Sequence, residues 1–248
     1  MSGSLVVVGT GPGKAELMTP ATQAALARAT DLVGYGPYLD RVPVRGDQCR
    51  HASDNRVELD RARLALSLAS AGRQVAVVSG GDPGVFAMAA AIFEAVESGD
   101  PAWRGLDIRV EPGVTAMLAA AAEVGAPLGG DFCAISLSDN LKAWTTVERR
   151  LKAAAQADFV IALYNPASKA RPHQLGQAFE LLRTIKAAAT PVLFVRAAGT
   201  AEARVITTTL GAADPSRADM RTLVIIGAST TRQVGRWVYT PRSERGAP

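Results

Sequence analysis

Apolar residues along this chain fall mostly into short unbroken runs separated by alanine-rich stretches and glycine turns. "LVVVG" (5–9), "DLVGY" (31–35) and "QVAVVS" (74–79) have strand length and β-branched character. "TPATQAALARAT" predicts a helix with Thr19 as N-cap and Pro20 at its first position. "NRVELDRARLALSLASAG" predicts an amphipathic helix, with Val57, Leu59, Leu64, Leu66 and Leu68 near one apolar arc and Gly72 as its stop. The turn "GGDPG" then leads into the helix "VFAMAAAIFEAVESG", and "LDIRVEPG" with "VTAMLAAAAEVG" repeats the strand–turn–helix unit. Such alternation predicts a mostly parallel sheet with helices on its faces.

The texture changes after "GAPLGGD" (125–131), where three glycines and a proline in seven residues mark a linker. Beyond it "FCAISLS", "FVIALYN", "PVLFVRAAG", "RVITTTLG" and "TLVIIGAS" read as strands, with helices over 146–157 and 172–189. Two successive strands near 192–209 predict antiparallel pairing, so this half should hold a mixed sheet. The expected fold class is α/β in two domains, 1–128 with the glycine-rich loops and 129–248 with the mixed sheet.

Composition narrows the chemistry. At 248 residues and 48% apolar content the chain can bury a real core, and 5% aromatic content suits close helix-on-sheet packing. A net charge of +4, with no run of Lys and Arg interleaved with aromatics, disfavours nucleic acid and suits a small anionic substrate. Two cysteines and two histidines supply neither a disulfide framework nor a His-rich zinc site, so no metal is expected. The N-terminus shows no basic-then-apolar signal and no apolar run spans a bilayer, so a cytoplasmic enzyme without a membrane partner is expected.

The glycine loops are the strongest local signals. "VGTGPGK" fails the P-loop pattern, because Ala15 follows Lys14, and fails G-x-G-x-x-G, because Lys14 stands at the third glycine. Pro12 also removes one N–H from any phosphate cradle. An NAD-binding oxidoreductase is therefore a remote alternative, supported only by Gly9, Gly11 and Asp31. "SGGDPGVF" is a second strand-end loop, in which Gly80 and Gly81 admit close backbone approach and Asp82 suits either a helix cap or a ligand's ammonium or hydroxyl groups. "EPGVTA" is a third, and three such turns at the carboxyl edge of an open sheet predict a small-molecule cleft.

In this order and spacing "VGTGPG", "SGGDPGVF" and "EPGVTAMLAAAA" resemble the tetrapyrrole methylases, over nearly the whole chain. The resemblance implies two α/β domains, S-adenosylmethionine bound in the cleft between them, S-adenosylhomocysteine as co-product and a homodimer. "GYGPYLD", "DFCAISLSDNLKAW", "LYNPASKARPHQL" and "VRAAGT" are most similar to the family's ring-contracting branch. That implies methylation of precorrin-3B at carbon 17 with contraction to precorrin-4 in cobalamin biosynthesis; the branch acting on the cobalt-containing counterpart is the alternative. Carried over to this chain, the cofactor contacts fall on Pro12, Gly80, Gly81, Asp82, Val85, Thr115, Ala116, Asn165 and Gly199. The helix after Thr115 is also expected to turn its first N–H groups toward the cofactor's carboxylate.

Methyl transfer needs alignment and exclusion of water, whereas ring contraction also needs a proton carrier near the macrocycle. Asp139 in "SLSDN" and His51 in "CRHASDN" are the candidates, against a plain turn at Asp139 and a loop histidine followed by an Asp54 helix cap. The substrate implied is a polycarboxylate tetrapyrrole. Arg41, Arg45, Arg50 and Arg56, and a second group of Lys169 and Arg171, are the candidate carboxylate partners, against solvated surface charge.

Overall fold

The computed structural model describes residues 3–54 and 57–243. The chain divides into two compact units, Met1–Ala116 and Met117–Pro248, each with its own sheet.

In the first unit the predicted runs form β1 (Ser4–Gly9), α1 (Pro20–Arg28), β2 (Asp31–Tyr35), the short α2 (Gly36–Leu39), β3 (Cys49–Ser53), α3 (Glu58–Ser70), β4 (Gln74–Ser79), α4 (Met88–Ser98) and β5 (Asp107–Glu111). Thr19 caps α1 as its spacing predicts, its hydroxyl accepting from Thr22 N at 3.1 Å. The strands pair in parallel in the order β3-β2-β4-β1-β5. Alternate residues serve the two faces. Leu5, Val7, Val33, Val75 and Val77 pack with α3 and α4, while Val8, Leu32, Ala76 and Val78 pack with α1 and α2.

Two expectations change here. The buried arc of α3 is Arg61, Ala62, Ala65, Leu66 and Ala69, whereas Leu59 and Leu64 are each 42% exposed. Small residues let α3 lie close on the sheet and on α4, so the leucines one step round are left outside. The stretch "CRHAS" is a strand and not a loop. It pairs only with β2, and as an edge strand it needs no apolar run to be stable there.

The second unit contains α5 (Ala116–Val124), β6 (Gly125–Ala126), β7 (Phe132–Ser136), α6 (Trp144–Gln156), β8 (Val160–Tyr164), α7 (Gln174–Arg183), β9 (Pro191–Arg196), β10 (Arg204–Thr209), β11 (Thr222–Ile226), β12 (Arg232–Val234) and β13 (Trp237–Tyr239). Its main sheet runs β10-β9-β11-β8-β7, with β7 and β8 parallel and the other neighbours antiparallel. Ile161, Leu163, Phe194 and Val224 meet Leu151 of α6 and Phe179 of α7 on one face. Each such fully buried side chain stabilises by about 1.5–3 kcal/mol.

The glycine-rich stretch at 125–131 is more than a linker. β6 lies within it and pairs in parallel with β13, and Thr240 Oγ1 donates to the Pro127 carbonyl oxygen at 2.6 Å. Those bonds draw α5 and β6 into the second unit, where a division at residue 128 would place them in the first.

Candidate active site

In the first sheet the central neighbours are β1 and β4. β1 leads to β2 on one side of this pair and β4 leads to β5 on the other. Their carboxyl ends are therefore the point where the strand order reverses, the place where open α/β sheets bind ligands. "VGTGPG" leaves β1 there, "SGGDPG" leaves β4, and "EPGVT" leaves β5 beside them.

The first two loops are bonded to each other backbone to backbone. Thr10 N donates to Ser79 O at 2.9 Å, Gly11 N to Gly81 O at 3.1 Å and Gly81 N to Gly11 O at 2.9 Å. A Cβ on Gly113 of the third loop would stand 2.2 Å from Gly81 O and 2.8 Å from Gly9 O. Gly81 lies at φ +66, which excludes ordinary side chains there. The glycines thus serve contact between loops first, and Gly80 has the Tyr38 ring against it, 2.7 Å from where a Cβ would be.

Asp82 joins the same cluster. Its Oδ1 accepts from Gly84 N at 2.8 Å and its Oδ2 from Gly113 N at 3.0 Å, so it staples the second loop to the third. It does not cap a helix, because α4 begins only at Met88. Pro12 and Val85 are half-buried on these loops, Thr115 is buried, and Ala116 opens α5. None of these side chains is cationic. With the N–H groups of Thr10, Gly11, Gly81 and Gly113 bonded within the cluster and no cation among these side chains, the set suits a sulfonium ligand better than a phosphate. It fits S-adenosylmethionine.

The arginines of this unit are largely committed. Arg50 donates from Nη1 to Leu39 O at 3.0 Å and from Nη2 to Val42 O at 2.6 Å. Arg45 pairs with Asp47 at 2.6 Å and donates to Ala27 O, while Arg41 lies over the Tyr38 ring at 5.4 Å. Arg56 lies outside the described residues. Arg61, which the sequence pattern hides on a helix face, is only 5% exposed. It donates to Ser53 Oγ at 2.8 Å and to Asp54 O at 2.6 Å, tying α3 to the end of β3. Asp54 therefore serves through its carbonyl, and the N-cap of α3 is Val57.

His51 stands in the middle of β3, away from the loops. Its Nε2 is 2.9 Å from Oδ1 of Asp31, whose Oδ2 accepts from Arg73 at 2.7 Å. Asp31 opens β2 and is 2% exposed. Burial alone would raise its pKa, but hydrogen bonds from His51, Thr30 and Arg73 hold it below the usual carboxylate range. Those bonds describe a structural ion network at the amino edge of the sheet.

In the second unit β7, β8 and β9 all run the same way, β8 and β9 each antiparallel to β11 between them. Their carboxyl ends share one edge, which gathers Ser138 and Asp139, Asn165, and Gly199. Asn165 adopts φ +52, donates from Nδ2 to Ser136 Oγ at 3.0 Å and accepts at its carbonyl from Arg171 Nη1 at 3.2 Å. Gly199 lies at φ +70 and its N–H reaches Glu123 Oε1 at 3.3 Å. The N–H of Met117, in the first turn of α5, donates to the Tyr164 hydroxyl at 3.0 Å. That donor of the helix end is already engaged.

Asp139 accepts from Gln174 Nε2 at 3.2 Å. Near it Lys142 donates to Ser138 O at 3.0 Å. Burial first, then Arg150 and Arg171, push the Lys142 ammonium below its usual range, with Asp139 acting against them. Arg171 is 7% exposed, whereas Lys169 is exposed and lines an open cavity of about 700 Å³ with Ser168, Asp214, Asp219 and Arg221. The sequence reading did not single out Lys142, Arg61, Tyr164 or Glu123: Lys142 and Tyr164 lie inside quoted stretches without a role, and Arg61 and Glu123 are single polar residues on helices.

With this geometry in view, the chain was compared with known proteins. Residues 4–214 match the family described as Tetrapyrrole (Corrin/Porphyrin) Methylases. The chain is 60% identical to a precorrin-3B C(17)-methyltransferase from Sinorhizobium sp., covering 100% of this chain and 99% of that one. The crystal structure of the methyltransferase CobJ superposes with a TM-score of 0.95 at 55% identity, covering 97% of this chain and 100% of that one. A uroporphyrin-III C-methyl transferase from Thermus thermophilus, complexed with S-adenosyl homocysteine, shares the fold at a TM-score of 0.69 and 24% identity, covering 91% of this chain and 97% of that one.

Proposed function

Because the chain belongs to the tetrapyrrole methylase family, we propose that it methylates precorrin-3B at carbon 17, with S-adenosylmethionine as donor, in cobalamin biosynthesis. The full-length identity to the Sinorhizobium enzyme carries this reading. When bound, the cofactor supplies a sulfonium methyl group whose bond to sulfur breaks as the bond to carbon forms. The protein's part is to hold and align.

Pro12, Gly80, Gly81, Val85, Thr115 and Ala116 of the first unit would hold the cofactor. Asp82 would act through the loops, since both of its oxygens already accept from backbone N–H groups. The N–H groups of Thr10, Gly11, Gly81 and Gly113 are already bonded within the loop cluster, which leaves no backbone cradle for a pyrophosphate and disfavours NAD.

Ring contraction to precorrin-4 is part of the same reading. Asp139 would carry the proton, as its carboxylate sits at the carboxyl edge of β7 and has one hydrogen bond, from Gln174. His51 is set aside because its ring nitrogen is engaged by buried Asp31. A cytoplasmic homodimer belongs to the proposal too, and light scattering at twice the chain mass would support the dimer.

Calorimetric titration with S-adenosylhomocysteine and with NAD tests the cofactor assignment. Saturable binding of the first and none of the second is expected. Binding of NAD alone would overturn the reading.

A further inference from the structure

Buried polar side-chain atoms nearly always have a hydrogen-bond partner, so those without one mark places where something else belongs. Among the described residues five such atoms lack a partner, and four of them come from one stretch: Trp144 Nε1, Ser168 Oγ, Arg171 Nε and Gln174 Oε1. All four residues lie in or after the segments that leave the carboxyl ends of β7 and β8.

The charges there are unbalanced. Arg150 and Arg171 both act on Lys142, and Asp139 is the carboxylate that offsets them. Asp139 has its own hydrogen bond from Gln174. Arg171 is held firmly: its N–H and carbonyl exchange bonds with Ser168 at 3.0 and 3.2 Å, and Nη1 is anchored on Asn165 O. A buried guanidinium fixed by its backbone, with a donor unused and a second cation beside it, is preorganised for an anion of planar, two-oxygen shape. Arg50 Nε is the fifth unpartnered atom, but the Nη groups of Arg50 are taken by the carbonyls of Leu39, Val42 and Pro43.

We propose that Lys142 and Arg171 form a carboxylate-binding subsite that takes one acidic side chain of the tetrapyrrole. The assignment rests on the proposed function for the identity of the ligand, and adds Lys142 to the candidate carboxylate partners. Arg171 orients the carboxylate through paired N–H donors, and Lys142 supplies the second positive charge. Lys169, exposed at the rim of the neighbouring cavity, contributes little beyond screened attraction.

The test uses the full chain and uroporphyrin III as a stable polycarboxylate probe, with binding followed by fluorescence titration. Lys142→Met keeps the stem of the side chain and removes the charge, and it should weaken uroporphyrin III binding about tenfold. Lys142→Arg should restore binding to within about threefold of wild type, because the charge is what matters. S-adenosylhomocysteine affinity, read by calorimetry on the same samples, should be the same in all three proteins, which also reports that each is folded. Equal uroporphyrin III affinity in wild type and Lys142→Met would overturn the subsite, as would absence of binding to wild type or failure of Lys142→Arg to restore it. A wild type that binds no S-adenosylhomocysteine would instead overturn the methyltransferase reading, so the two failures are distinguishable.

Discussion

Gly113→Ala adds one methyl group where three loops meet. Gly113 is not at positive φ, so alanine has no backbone strain of its own there, and any effect reports spacing between loops. The new Cβ would lie 2.2 Å from Gly81 O and 2.8 Å from Gly9 O, both backbone atoms that cannot rotate away. Real contacts of this kind stay above 3.0 Å, so the second and third loops must part by about 1 Å. Parting also stretches the 3.0 Å bond from Gly113 N to Asp82. Overpacking of this kind costs about 1–3 kcal/mol, and a 1 Å displacement of aligning groups costs about 100-fold in turnover. Urea denaturation and the rate of methyl transfer would read the two effects, with calorimetric binding of S-adenosylhomocysteine as a check on the loops. Gly46→Ala is the control, because nothing lies within 4 Å of a Cβ there, and it should change stability by less than about 0.5 kcal/mol. A Gly113→Ala protein with the stability and cofactor affinity of wild type would refute the account of these loops.

Asp31 sets a pH dependence. Its folded-state pKa is lowered, so the stability it contributes is complete above the unfolded value of about 4 and is lost as the pH falls through the folded value. Denaturation midpoints measured from pH 7 to pH 2 should therefore fall less steeply in Asp31→Asn than in wild type; parallel curves would show that the network with His51 and Arg73 contributes nothing. His51→Ala should cost about 1 kcal/mol of stability and leave turnover within about twofold, whereas Asp139→Ala should retain S-adenosylhomocysteine binding and lose ring-contracted product. Product analysis by absorption spectrum and mass separates them, and loss of product in His51→Ala alone would reverse the assignment.

Much of the fold was legible because its strands are buried on both faces and read as continuous runs. "LVVVG" and "QVAVVS" could hardly be anything else. β3 was illegible for the opposite reason: "CRHAS" pairs on one side only and is polar, so its pairing with β2 depends on neighbours the local sequence does not encode. The glycine loops were found by their spacing, yet what the glycines do was not. Spacing says that a backbone comes close, and only coordinates say that it is another loop, with Asp82 as the staple. The candidate arginines show the same limit. The sequence places Arg45 and Arg50 close together, but backbone carbonyl groups of Ala27, Leu39 and Val42 take their donors. Arg171 gains its meaning from burial and from a partner that is missing, and Lys142 from the charges around it, none of which is written in the local pattern.

Transfer of the methyl group itself is the most direct check on the account. The protein should be incubated with metal-free precorrin-3B and S-adenosylmethionine carrying a labelled methyl group, and the product read by mass and by carbon NMR. One label on carbon 17, with one S-adenosylhomocysteine released per product, is the predicted result. Label on another ring carbon, or turnover only with a cobalt-containing substrate, would contradict it.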